Sequence, residues 1–181
     1  TRLASLRELP GRLATTAWRE SLLVMALAAA LYIPFLGSFG LWDPWETHYG
    51  EVARYITESH DWISTWWGSK WQDAGGAQEG EYFFSKPILL MWLMAMGMTV
   101  FGVNAFAVRL GVCLVAILGV TLIHAMGRSV FSRRAGWLMA GVTALAPFYA
   151  MLSRQAQTDM PFVGLMTVGL CFFMMAIFGK D

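Results

Sequence analysis

The chain has 181 residues, 57% of them hydrophobic, with a formal net charge of +1 and a mean hydropathy of +0.52. This composition excludes an ordinary water-soluble domain. A near-neutral chain without a basic cluster also gives no support to nucleic-acid binding.

Arg2, Arg7, Arg12 and Arg19 precede the first apolar segment, Ser21 to Trp42. That segment approaches the ~20 residues a bilayer-spanning helix needs. Its first part imitates a signal sequence, but no small-residue cleavage site follows. Next comes a polar, tryptophan-rich stretch. Asp43 to Lys86 holds eight acidic residues against three basic ones. Asp43-Pro44-Trp45-Glu46 is a helix start signal: an aspartate that caps, a proline for the first turn and a glutamate that reaches back. Trp45, Tyr49, Val52, Ala53 and Ile56 recur at helical spacing and predict one apolar face. His48, Glu51, Arg54 and Glu58 fall largely elsewhere. An amphipathic helix on the membrane surface follows, with Trp62, Trp66, Trp67 and Trp71 as interfacial anchors. The loosest part is the glycine-rich stretch from Asp73 to Glu81.

Lys86-Pro87 opens a short apolar segment, 87–101, read as a juxtamembrane helix ended by Gly102-Val103-Asn104. A long apolar segment then runs from about 105 to 127, with Arg109 snorkelling near its start. Cys113 within it, and Cys171 in the last segment, read as small core residues and not as a disulfide or metal pair. His124 reads as a polar residue bonded to a neighbouring helix. Arg128, Arg133 and Arg134 form a basic turn before a third span at 134–152. A polar turn from Ser153 leads to Asp159 and Pro161, which suit the start of a fourth span at 159–179, followed by Lys180.

The positive-inside rule puts the N-terminus and the basic turns in the cytoplasm, and residues 43–104 outside. The expected fold is all-α: a polytopic transmembrane bundle of about four spans (21–42, 105–127, 134–152, 159–179), with juxtamembrane amphipathic helices in the long first outer loop. The chain starts without a methionine and stops just after a span, which reads as the N-terminal transmembrane part of a longer protein.

This threading gathers Asp43, Glu46, Lys86, Arg154 and Asp159 at one outer surface. Each has a plain structural reading and a chemical one. Asp43 and Glu46 are a capping box, or one of them is a base; a carboxylate accepting backbone N–H bonds is held ionised, which weakens it as a base. Lys86 snorkels, or its compact cation holds a phosphate. Arg154 snorkels or assists it. Asp159 caps a helix, or orients an acceptor. His48 with Glu51 has the one-turn spacing of metal ligands, but a lone histidine on an amphipathic helix is ordinarily polar surface.

DPWETHYGEVARYI, FFSKPILLMWL…FGVNAFAVRL and SRQAQTDMPF, in that order, resemble the N-terminal part of the GT-C integral membrane glycosyltransferases, in the branch of bacterial aminoarabinose transferases and protein O-mannosyltransferases. The resemblance implies a sugar transferase with a polyprenyl-phosphate-linked donor, acting on a lipid, glycan or protein acceptor outside a bacterial inner membrane. It makes Glu46 and Asp43 the candidates for the base, matches Lys86 to the lysine near the donor phosphate, and matches Asp159 to the acidic residue of the second outer loop. Arg154 joins Lys86, with His48 and Tyr49 as contacts to donor or acceptor. There are two departures. Relatives read Pro-Asp-Glu-Thr-Arg-Tyr where this chain has Trp45 and His48, and they often carry glutamate where this chain has Ser85. The second leaves a metal site unsupported, and no cofactor is expected. The altered motif keeps open a second reading, a non-catalytic subunit that binds lipid or packs with partner membrane subunits. A transporter has less support, because the spans carry few ionisable residues.

Overall fold

The computed structural model describes residues 9–72 and 78–179. Arg2, Arg7, residues 73–77 of the glycine-rich stretch, and Lys180 lie outside that range.

Helix α1 runs Leu9–Tyr32. The expected span of 21–42 is corrected at both ends: the helix starts earlier, and residues 33–44 fold into turns. Pro34 accounts for the early stop, since proline lacks an N–H and disfavours helical backbone in the residue before it. Helix α2, Trp45–Ser59, begins where the start signal predicts and ends at His60 in the left-handed region (φ 59°). Tyr49, Val52, Ala53 and Ile56 form one apolar face at the expected spacing, but that face is buried within the protein, on the helix that starts at Leu89, and does not lie open on the membrane surface; Trp45 remains half exposed.

An antiparallel hairpin, β1 (Trp66–Gln72) and β2 (Gln78–Tyr82), interrupts the expected all-helical loop. Trp66 pairs with Tyr82 across it, ring edge to ring face at 5.2 Å, the type of cross-strand aromatic contact that stabilises a ribbon. Trp92 ties helix α3, Leu89–Phe101, to the same region by donating its indole N–H to the Trp62 carbonyl at 2.7 Å.

At 13 residues, α3 is ~20 Å long, short of the ~30 Å hydrocarbon core. It packs between α2 and helix α4, Ala105–Val130, burying Leu90, Met91, Met94, Ala95 and Met98. Glycines let α3 and α4 cross closely. A Cβ on Gly97 would lie 2.1 Å from the Ala107 carbonyl oxygen, and one on Gly111 2.7 Å from that of Leu93. Asn104 caps α4 by accepting the Ala107 N–H.

Helix α4 is the central post, packed by α1, α3, α5 (Arg133–Leu145) and α7 (Asp159–Phe178). The predicted third span is broken in two. Ala146 turns extended and Pro147 starts α6, Pro147–Leu152, as the restriction before proline requires. Among the described residues, α4 and α7 are long and apolar enough to cross a bilayer. Helix α7 keeps most of its apolar surface exposed.

Candidate functional site

Four separate segments meet at a fully buried ion pair. Arg109, on the second turn of α4, donates from Nε to Glu46 Oε1 at 2.9 Å and from Nη2 to Oε2 at 2.7 Å. Its remaining N–H groups go to the carbonyls of Leu36 and Phe39, both at 3.0 Å, and Gly40 at 2.7 Å. All five guanidinium donors are thereby used. The Phe39 ring covers the guanidinium at 4.0 Å. Glu46 also accepts the Trp42 N–H at 2.9 Å and the Ala156 N–H at 2.6 Å. Four accepted bonds fill its acceptor sites. Burial by itself would raise the Glu46 pKa. The Arg109 hydrogen bonds, the Ala156 and Trp42 N–H groups and the Arg109 charge outweigh burial and hold it below its ordinary 4.5. A carboxylate so held, with no solvent-facing oxygen, is a poor base.

The polar side chains that remain accessible lie beside this pair. Trp45 and Tyr49 of α2, Lys86 before α3, and Gln157, Thr158 and Asp159 at the start of α7 line one cavity of about 210 Å³. Lys86 and Asp159 are both exposed there, and Lys86 forms no ion pair among the described residues. The Tyr49 hydroxyl is pushed above its usual pKa by burial and then by the Asp159 carboxylate. Two of the cavity walls are held by the ion pair: Glu46 sits next to Trp45 in α2, and its bond to Ala156 fixes the backbone just before Gln157. A cation, a carboxylate and an aromatic wall around one small polar space suit an anionic ligand that also carries hydroxyl groups.

The other sequence candidates are placed differently. Asp43 is exposed and accepts the Thr47 hydroxyl at 2.8 Å. The predicted capping box does not form, because α2 has no side-chain cap and Glu46 reaches past it to Trp42. Asp159 is not a cap either; it is the first helical residue of α7. Arg154 donates to the Pro34 carbonyl at 2.9 Å, bracing the turn after α1. His48 is not open polar surface. Its ring stacks on Trp67 at 4.1 Å, beside Phe83 at 4.9 Å, and its Nε2 is buried without a partner. Glu51 is bound to Arg54 and not to His48. No cluster of three metal-ligating side chains occurs among the described residues.

A second charged cluster closes the far end of α4, where Glu20 of α1 accepts from Arg128 and from Arg133, the latter at 2.7 Å. Near it, buried His124 meets Ser21 at 3.3 Å and packs in a T-shaped arrangement with Trp137, as expected of a residue bonded to a neighbouring helix. Arg109 and Arg128 are 19 residues apart on one helix, so the two polar layers are separated by ~28 Å, close to the thickness of a hydrocarbon core.

Residues 85–180, more than half the chain, match the dolichyl-phosphate-mannose-protein mannosyltransferase family. The chain belongs to this family. Among curated members of the wider group, it is 33% identical over 115 residues to an undecaprenyl phosphate-α-4-amino-4-deoxy-L-arabinose arabinosyl transferase of Pseudomonas fluorescens, covering 64% of this chain and 18% of that protein. A transferase of the same name from Edwardsiella ictaluri is 30% identical over 152 residues, 82% of this chain and 25% of that protein. Two crystal structures of ArnT from Cupriavidus metallidurans share the fold. The one bound to undecaprenyl phosphate gives a TM-score of 0.74 at 26% identity over 86% of this chain and 27% of that one. The apo structure gives 0.71 at 27% over 91% and 28%. The chain thus spans about a fifth to a quarter of the length of these relatives.

These likenesses bear out the GT-C resemblance and the helical membrane fold, and they place the chain in a bacterial membrane. In this mannosyltransferase-family chain, sequence reasoning missed Arg109 as a site residue. The available signal was an ionisable group within an apolar segment, which ordinarily faces the bundle interior and has a partner.

Proposed function

We propose that this chain forms the donor end of a membrane glycosyltransferase, which moves a sugar from a polyprenyl-phosphate carrier to an acceptor on the extracytoplasmic face of a bacterial inner membrane. The observation that carries this reading is the meeting of Lys86 and Asp159 in one small polar cavity. The likeness to an ArnT bound to undecaprenyl phosphate supports it.

In this reading Lys86 stabilises the charge that develops on the carrier phosphate as it leaves. The acceptor oxygen attacks the anomeric carbon, the carbon–oxygen bond to the phosphate breaks, and a carboxylate takes the acceptor proton. Asp159 is the better-placed carboxylate, and exposed Asp43 is the second. Glu46, sealed by Arg109, positions the site instead. Arg154 holds the turn beside it. The N-terminus is cytoplasmic and the chain contributes about four spans, counting α1 and the broken α5–α6 pair. The whole of 1–181 is then an N-terminal transmembrane part, with the outer loop at 43–104.

The test is transfer of labelled sugar from a polyprenyl-phosphate donor by the full-length protein. K86A and D159N should each lower turnover at least 100-fold while expression persists. Normal turnover in both variants would overturn the assignment. The second reading, a lipid-binding relative without catalysis, is favoured by the sealing of Glu46. It predicts donor binding with no transfer by the wild-type protein.

A further inference from the structure

Trp45 is out of keeping with its helix. Tyr49, Val52, Ala53 and Ile56 on the same apolar stripe are at most 4% exposed, whereas Trp45 is 53% exposed. It lines the polar cavity, with its ring backed by Tyr49 at 6.2 Å and 30°. The groups it shares that space with are Lys86, Gln157, Thr158 and Asp159, all hydrogen-bonding or charged.

One ligand class matches a flat apolar surface set among such groups. A sugar ring presents a face of C–H bonds and a rim of hydroxyls. The C–H face gains from burial against an indole, and the rim needs partners like Gln157, Thr158 and Asp159. Size points the same way. At about 210 Å³ the cavity is smaller than the ~300–1,000 Å³ of drug-sized ligand sites, and suits one ring and not an oligosaccharide.

We infer that Trp45 is the platform on which the carried sugar stacks, so that it selects sugars by their C–H face while Lys86 holds the phosphate. This rests on the donor-site reading above and deepens it. A bilayer anchor, the other common use of an exposed tryptophan near a membrane, would act on the lipid tail and not on the sugar.

The experiment measures dissociation constants of the full-length protein, reconstituted in lipid, for two probes. One is undecaprenyl phosphate, and the other is undecaprenyl phosphate bearing 4-amino-4-deoxy-L-arabinose. W45A should weaken the sugar-bearing probe about tenfold and change the bare lipid phosphate less than twofold. W45F should recover the sugar-bearing probe to within about threefold of wild type. Equal weakening of both probes, or of neither, overturns the inference. If wild-type protein binds neither probe, the donor-site reading itself fails and takes the inference with it.

Discussion

Arg109 and Glu46 lie 63 positions apart in the sequence and form a two-pronged ion pair with no exposure to solvent, every donor of one and every acceptor of the other in use. The pair joins the turn after α1, the start of α2, the start of α4 and the strand of backbone leading into α7. Breaking one half of such a pair leaves an uncompensated buried charge, which costs ~3–5 kcal/mol. R109A and E46A should therefore unfold at clearly lower temperature or denaturant concentration. R109K should not rescue, because three ammonium donors cannot serve five acceptors in a fixed fork. Thermal unfolding of the purified full-length protein checks both points.

Stability should depend on pH through the same carboxylate. Burial pushes the Glu46 pKa up, but the hydrogen bonds from Arg109, Ala156 and Trp42 and the Arg109 charge together outweigh it and hold the folded-state value below the ordinary 4.5. Its stabilising contribution is therefore complete above pH 4.5 and is lost as pH falls through the folded value. The melting-temperature difference between wild type and E46Q should be constant from neutral pH down to about 5 and shrink below 4.5.

The close crossing of α3 on α4 should tolerate no side chain at its contact point. Replacing Gly97 by alanine puts a Cβ 2.1 Å from the Ala107 carbonyl oxygen, so the helices must separate. A loss of ~1–3 kcal/mol is expected. Gly141, inside α5 with open space around its Cβ position, is the control site, and G141A should be no less stable than wild type, because alanine favours a helix interior over glycine.

At the opposite end, Glu20 neutralises Arg128 and Arg133 together. E20A should destabilise by more than R133A, since Arg133 is largely exposed and its half of the contact is screened by water. Parallel unfolding curves of the two variants measure the difference.

Much of the fold was legible because single segments carry their own pattern. Helices α4 and α7 follow from long apolar runs, α2 from its start signal and apolar stripe, and the buried free cysteines from their neighbours. What failed to show was long-range or masked by a local explanation. Glu46 read as part of a cap and Arg109 as a snorkelling residue, so neither demanded a partner. The tryptophans around β1 read as interfacial anchors, which hid a hairpin whose alternation is short. Pro34 and Pro147 sit in apolar runs whose hydropathy outweighed the backbone restriction that ends α1 and splits the third span. The cavity is half visible in the sequence: Lys86 and Asp159 stand out as charges beside apolar segments, but Trp45 falls on the apolar face of an amphipathic helix, where a lipid contact explains it.

The most direct test of the account is the affinity of the full-length protein for undecaprenyl phosphate, compared between wild type and K86A. Lys86 as the phosphate-holding cation predicts a loss of affinity of at least tenfold in K86A, with its melting temperature unchanged because the side chain is exposed. Equal affinity in the two proteins would contradict a donor site at the Lys86–Asp159 cavity.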